Sequence, residues 1–133
     1  MSNTATFPRD LLTEEDFLAP QTHVAKIALL KQIYNFTNPA EAERFLLAHD
    51  ELIPYLLESD KHLKRVFGEN IVDVCLECVS DPEEDYEGLF VTVKTNLSPE
   101  ESLDLLDKFD DEWFLDYVPS EAISILTVDV RPV

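Results

Sequence analysis

The residues with the most evident chemical potential are carboxylates in the segment from Ser98 to Tyr117, SPEESLDLLDKFDDEWFLDY. Several of them lie within reach of one another on a helix, and carboxylate oxygens are the ligands that Mg²⁺ and Ca²⁺ prefer. The members of this candidate metal site are Asp107, Asp110, Asp111 and Asp116. Dedicated sites for these cations usually include a turn with a glycine, and this segment has none. A solvated acidic face is therefore the favoured interpretation of these carboxylates. A small metal-dependent enzyme or metal-binding domain is the alternative hypothesis.

Sulfur and imidazole groups do not form a recognisable catalytic or metal motif. Cys75 and Cys78 have C-x-x-C spacing, but they fall in a segment that alternates like a strand, which directs them to opposite faces. The three histidines are scattered, and two glycines in the whole chain leave no glycine-rich phosphate loop. The sequence predicts no catalytic residue and no cofactor, so an enzyme is the less favoured class.

The same acidic segment carries the strongest helix signals in the chain. Ser98 followed by Pro99 and Glu101 is a capping box with proline at the first helical position. A spacing of 100° per residue predicts one apolar stripe, formed by Leu103, Leu106, Phe109, Trp113 and Tyr117 and flanked by Phe114. The opposite face holds Glu100, Asp104, Asp107 and Asp111. This row is either a solvated surface or an interaction surface for a basic partner.

Asp110 does not fit an unbroken helix, because it would lie inside the apolar stripe. A buried carboxylate without a partner is costly. We therefore predict that Asp110 caps a second short helix, so that Pro99–Phe109 and Asp111–Tyr117 are two pieces separated by a kink.

The rest of the chain predicts a single α+β domain over residues 1–133, with residues 1–10 as a loose arm. A short helix ending before Pro20 precedes a helix from Thr22 to Phe36, and two further helices complete a helical N-terminal half. Alternation from Ile71 onward predicts a β-β-α-β unit. Its three-stranded, mainly antiparallel sheet is expected to be covered by helices on one face. The third strand either neighbours the second, parallel to it, or lies antiparallel beside the first, and the latter is preferred.

The helix from Thr22 to Phe36 is apolar over most of its circumference, which predicts burial on two sides. The second side is either core or a subunit interface that includes Leu29 and Ile33. Since monomers rarely expose such a patch, we expect a homodimer through this helix.

Charge narrows the choice of partner. The net charge is −18, and 45% apolar residues argue against disorder. The negative electrostatic field of this net charge repels nucleic acid and anionic membranes and attracts basic proteins. The N-terminal residues lack the pattern of a signal peptide, and no apolar run is long enough to span a bilayer, which predicts a cytoplasmic protein.

Residues from about Phe45 to Val130 resemble a family of small acidic bacterial proteins without an established function. The resemblance is carried by a strand-DPE-loop-strand unit and by the SPEE…LDKFDDEW helix. It covers roughly two-thirds of the chain and implies a compact α+β domain, but it implies no activity.

The leading functional hypothesis is a non-enzymatic protein–protein interaction module. By analogy at the level of function class, it would be the acidic, neutralising partner of a basic protein, as in a toxin–antitoxin pair. The surface expected to bind the basic partner is the row formed by Glu100, Asp104, Asp107 and Asp111.

Overall fold

A computed structural model describes residues 15–133 of the chain, with side chains from residue 23 onward. The arm predicted for residues 1–10 lies outside the described residues. The helices and strands in chain order are α1 (Glu15–Ile33), β1 (Asn35–Phe36), α2 (Pro39–Ala48), α3 (Ile53–Phe67), β2 (Ile71–Asp81), β3 (Tyr86–Thr95), α4 (Pro99–Phe109), α5 (Leu115–Tyr117), α6 (Ser120–Ile123) and β4 (Leu126–Pro132). Single 3₁₀ turns precede and follow α3, and a π-helical turn, Asp110–Phe114, joins α4 to α5.

The sheet has four strands in the order β1-β2-β3-β4, and it is mixed. β2 and β3 form an antiparallel hairpin, whereas β1 is parallel to β2 and β4 is parallel to β3. The α+β class is confirmed, but the three-stranded sheet and the preferred place of its last strand beside the first strand of the hairpin are wrong. The structure has the alternative placement, parallel to the second strand of the hairpin. Because β1 occupies the far side of β2, and α4 packs against β4, the returning strand joins the sheet beside β3.

Alternation along the strands gives the sheet one apolar and one polar face, as predicted. Register places Leu76 beside Val91 and Val91 beside Val128, and these side chains belong to the core or pack against it. The opposite face carries Asp73, Cys75, Glu77, Phe90, Thr92, Lys94, Thr127, Asp129 and Arg131. One face of the antiparallel β2–β3 hairpin can thus face water while the other packs on the core.

The N-terminal helical prediction is wrong at both ends of its second helix. One helix, α1, runs from Glu15 to Ile33 and includes Pro20 near its start. At the sixth position of α1, Pro20 removes one i→i−4 hydrogen bond, and the helix nevertheless continues through it. The chain leaves the helix after Tyr34, whose N–H donates to the Leu30 carbonyl at 2.7 Å, and the next two residues form β1.

Asn38 precedes α2, but its side chain does not cap the helix. Instead its Nδ2 donates to the Cys78 carbonyl at 2.7 Å, and its Oδ1 accepts from the Cys78 N–H at 2.9 Å. The amide therefore imitates one residue of a neighbouring strand. It continues the edge begun by β1 while the main chain turns into α2.

Aromatic packing explains the π turn that replaces the predicted cap at Asp110. Phe109, Trp113 and Phe114 are all buried, although positions i+4 and i+5 lie on different sides of a regular helix. An i→i+5 turn widens the helix by one residue and brings Phe114 over Phe109, with ring centroids 5.7 Å apart. Trp113 remains 5.8 Å from Phe109. Asp110 makes no capping hydrogen bond, and the helical path does not divide into two capped pieces.

Two buried serines predict opposite effects of the same substitution. The Ser59 hydroxyl is fully buried without a partner among the described residues, whereas Ser102 shares a 2.7 Å hydrogen bond with Thr95. We expect Ser59→Ala to leave the free energy of unfolding unchanged or to raise it by up to about 1 kcal/mol. Ser102→Ala should lower it by about 0.5–1.5 kcal/mol, because a buried hydrogen bond is lost while the Thr95 hydroxyl still accepts from the Leu97 N–H at 3.3 Å.

Urea denaturation of the two variants and the parent protein measures this difference. A loss of stability in Ser59→Ala equal to that in Ser102→Ala would contradict the assignment of Ser59 as unpartnered.

Candidate interaction surfaces

The most prominent candidate surface is the exposed side of α4, which hydrogen bonds hold in a fixed orientation. Ser98 Oγ accepts from the Glu101 N–H at 3.1 Å, and Glu101 Oε1 accepts from the Ser98 N–H at 3.2 Å, so the predicted capping box is confirmed. The buried bond between Ser102 and Thr95 ties the first helical turn to the end of β3. These contacts fix the rotation of the helix about its axis.

We define the acidic face as Glu100, Asp104, Asp107 and Asp111, and all four residues are exposed as predicted. Leu103 was expected in the buried stripe, but its side chain is 53% exposed and lies among these acids. Tyr117 was also placed in the stripe and is 67% exposed. Both predictions are wrong. The buried line of α4 is narrower than predicted and consists of Ser102, Leu106 and Phe109. Tyr117 follows the π turn, which shifts the later residues around the helix relative to a regular spacing. The surface therefore combines an apolar side chain with four carboxylates.

No base in residues 23–133 forms an ion pair with the acidic face. Lys108 lies on the same helix, but its ammonium group is 3.9 Å from the Glu112 carboxylate. Arg65 also contacts Glu112, at 2.6 Å, and lowers the pKa of that carboxyl. Lys108 and Arg65 therefore both lie against Glu112, and neither forms an ion pair with the acidic face.

The basic residues of α3 are likewise engaged within the chain. Lys61 contacts Glu58 at 3.1 Å, Lys64 contacts Asp60 at 3.1 Å, and Arg65 reaches Glu112. His62 stacks on Trp113 with ring centroids 4.6 Å apart and planes inclined by 16°. This cluster is consequently a polar helix face and does not form a free basic patch.

Asp110 has an unusual environment within the π turn. Burial first, and the neighbouring Asp107 and Asp111 carboxylates second, raise its pKa to about 6. Its charged form is therefore disfavoured in the folded protein. Asp110 is the one acid between Glu100 and Asp116 that is not exposed.

The four candidate metal ligands differ in their exposure to solvent. Asp107, Asp111 and Asp116 are exposed and Asp110 is half-buried. Across the described part of the chain, no three histidine, cysteine or acidic side chains are placed to hold a metal ion together. Asp107 and Asp111 lie close enough to Asp110 to raise its pKa, so the three carboxylates are neighbours on the helix.

The cysteines lie on opposite faces of β2, as the strand period predicts. Cys75 is on the polar face, 3.6 Å from Asp73 Oδ2, and Cys78 is on the core face, 3.8 Å from Glu87 Oε2. Burial and these carboxylates raise the pKa of both thiols. Thiols in such surroundings remain protonated and are poor nucleophiles.

The apolar side of α1 is only partly covered. Leu29 is 49% exposed, whereas Ile33 packs against the core, so these two residues do not form one continuous open surface. A groove of about 150 Å³ lies between α1 and α2. It is lined by Val24, Ile27, Ala28, Leu47 and the ion-paired Lys31 and Glu43. Dimerisation through this helix remains a prediction.

Sequence reasoning missed the second candidate surface, the outer edge of β4. β4 is the last strand of the sheet and pairs with β3 without interruption from Leu126 to Pro132. The sequence gives its alternation, but whether a strand is central or terminal depends on strand order.

No helix in the described range has the length and apolar character needed to cross a membrane.

Comparisons with protein-family models, with curated proteins and with solved structures return no match for this chain. The family resemblance drawn from residues 45–130 therefore stays a prediction, and function has to be argued from the surfaces themselves.

Asp110 provides a test of the electrostatics at the π turn. Its folded-state pKa of about 6 exceeds the ordinary value of 3.8. The folded protein therefore binds this proton more tightly than the unfolded chain, and the contribution to stability falls as the pH rises from about 4 to 6. We expect Asp110→Asn to raise the free energy of unfolding at pH 7–8 by about 1 kcal/mol, after allowance for solvent screening at a half-buried group.

At pH 4 the gain should disappear, because Asp110 is then protonated in the folded protein. Asp104→Asn, in the exposed row, is the matched control, since it removes one charge without relieving burial. Urea denaturation at several pH values measures both variants, and a gain for Asp110→Asn that does not change with pH would contradict this assignment.

Proposed function

We propose that this protein is a non-catalytic protein–protein interaction module that binds a basic partner through the acidic face of α4 and Leu103. It would act as the neutralising member of a two-protein system. The observation that carries the proposal is the contrast between engaged bases and unengaged acids. Six of the chain's ten lysines and arginines have carboxylate partners within the chain, while the acidic face has none among the described residues.

The composition of the surface supports a protein partner rather than a small cation. Interfaces typically combine an apolar centre with charged groups that steer and orient the partner. Leu103 supplies an exposed apolar side chain, and the carboxylates at positions 100, 104, 107 and 111 form a row beside it along the helix. Because the capping box and the Ser102–Thr95 bond hold α4 rigidly, binding would order little besides side chains.

Charge reversal at this surface tests the proposal with a matched control. Asp104→Lys with Asp107→Lys changes the net charge from −18 to −14, and so does Glu83→Lys with Glu84→Lys in the exposed hairpin turn. We expect the α4 variant to bind a co-purifying basic protein at least about ten-fold more weakly than the parent. The hairpin variant should bind nearly as well as the parent.

The measurement is quantitative mass spectrometry of proteins retained by each tagged variant in the native host, followed by calorimetry with the purified partner. Leu103→Ser, which changes no charge, should also weaken binding. If both charge-reversed variants lose the same amount of affinity for the partner, the effect is due to net charge and not to the acidic face. The absence of any stoichiometric basic partner would refute the proposed function.

A further inference from the structure

The two edges of the sheet are built differently. The β1 edge is two residues long, and the side chains of Asn35 and Asn38 extend it by bonding to Asp73 and to the Cys78 backbone. The β4 edge has seven residues in regular register with β3, without a bulge. A long regular edge offers unpaired backbone groups to another strand. Among the described strands, only β4 presents such an edge.

Hydrogen bonds at the two ends of β4 establish which backbone groups point outward. The Leu89 N–H donates to the Ile125 carbonyl, and the Val133 N–H donates to the Thr95 carbonyl, both at 2.9 Å. Since successive residues of a strand alternate in direction, residues 125, 127, 129, 131 and 133 face β3. The N–H and C=O groups of Leu126, Val128 and Val130 therefore face away from the sheet. One of them has a local partner, since the Val130 N–H donates to Asp129 Oδ1 at 2.8 Å.

The side chains of β4 are self-complementary about Val130. Asp129 and Arg131 are exposed on the polar face of the sheet, and neither forms an ion pair with another described residue. If two β4 strands lie antiparallel with Val130 opposite its equivalent, Asp129 of each copy lies opposite Arg131 of the other. Opposite charges in such cross-strand positions are stabilising, and the two-fold axis produces the pair twice.

We propose that β4 is the pairing edge of a symmetric homodimer, in which two copies align antiparallel about Val130 and form one eight-stranded sheet. On pairing, the Asp129 carboxylate releases the Val130 N–H, which it accepts from within one molecule, and turns to Arg131 of the other copy. Val130 then exchanges two backbone hydrogen bonds with its equivalent, and the Val128 N–H of each copy donates to the Pro132 carbonyl of the other. This dimer is independent of the proposed basic partner, and it uses β4 where the sequence suggested α1.

A charge swap tests the proposal, because it separates pairing from net charge. Asp129→Arg brings the net charge from −18 to −16, and Arg131→Asp brings it to −20. If pairing governs assembly, each single variant places like charges opposite one another twice and should weaken the dimer about ten-fold. The double variant restores both pairs at the original net charge and should dimerise like the parent.

Two further variants locate the interface. Val130→Pro removes an N–H that points away from β3, so the protein should keep its own sheet and lose the dimer. Leu29→Glu, on α1, should leave the dimer intact.

Sedimentation equilibrium at high protein concentration and moderate salt measures assembly, and circular dichroism confirms that each variant is folded. Dimeric parent and double variant, with weakened single variants, support the proposal. It is overturned by a monomeric parent, by a double variant that fails to recover, or by dissociation in Leu29→Glu alone.

Discussion

The packing of three aromatic side chains from one short helical segment determines much of this structure. Phe109, Trp113 and Phe114 must all enter the core, and a regular helix cannot direct positions i, i+4 and i+5 to the same side. The π turn resolves the conflict by widening the helix, and it leaves Asp110 half-buried beside two other carboxylates. Trp113 then provides the surface on which His62 of α3 stacks, which joins the helical half of the chain to the β-α-β half.

The sequence was informative wherever a local rule determines the outcome. The capping box at Ser98 and Glu101 depends on residues three apart, and the polar and apolar faces of β2, β3 and β4 depend on a period of two. Both were predicted correctly. The exposure of Leu103 was not, because the width of the buried stripe depends on how the sheet meets the helix.

Longer-range competition explains the other errors. Asn38 has the sequence context of a helix cap, yet the backbone of Cys78 lies close enough to accept and donate to its side chain, and this contact prevails. Similarly, the alternation of polar and apolar residues along β4 does not determine which side of the β2–β3 hairpin the strand joins. Its position beside β3, and hence the candidate pairing edge, depends on β1 occupying the other side of β2.

The amide of Asn38 has a consequence for how far this sheet can grow. By imitating a strand residue and then leading into α2, it ends the sheet at β1 and leaves no regular template there for another chain. A sheet that is closed at one edge can accept a second molecule only at the other. Association through β4 would thus end at two molecules, whereas a sheet with two open edges could propagate into a filament.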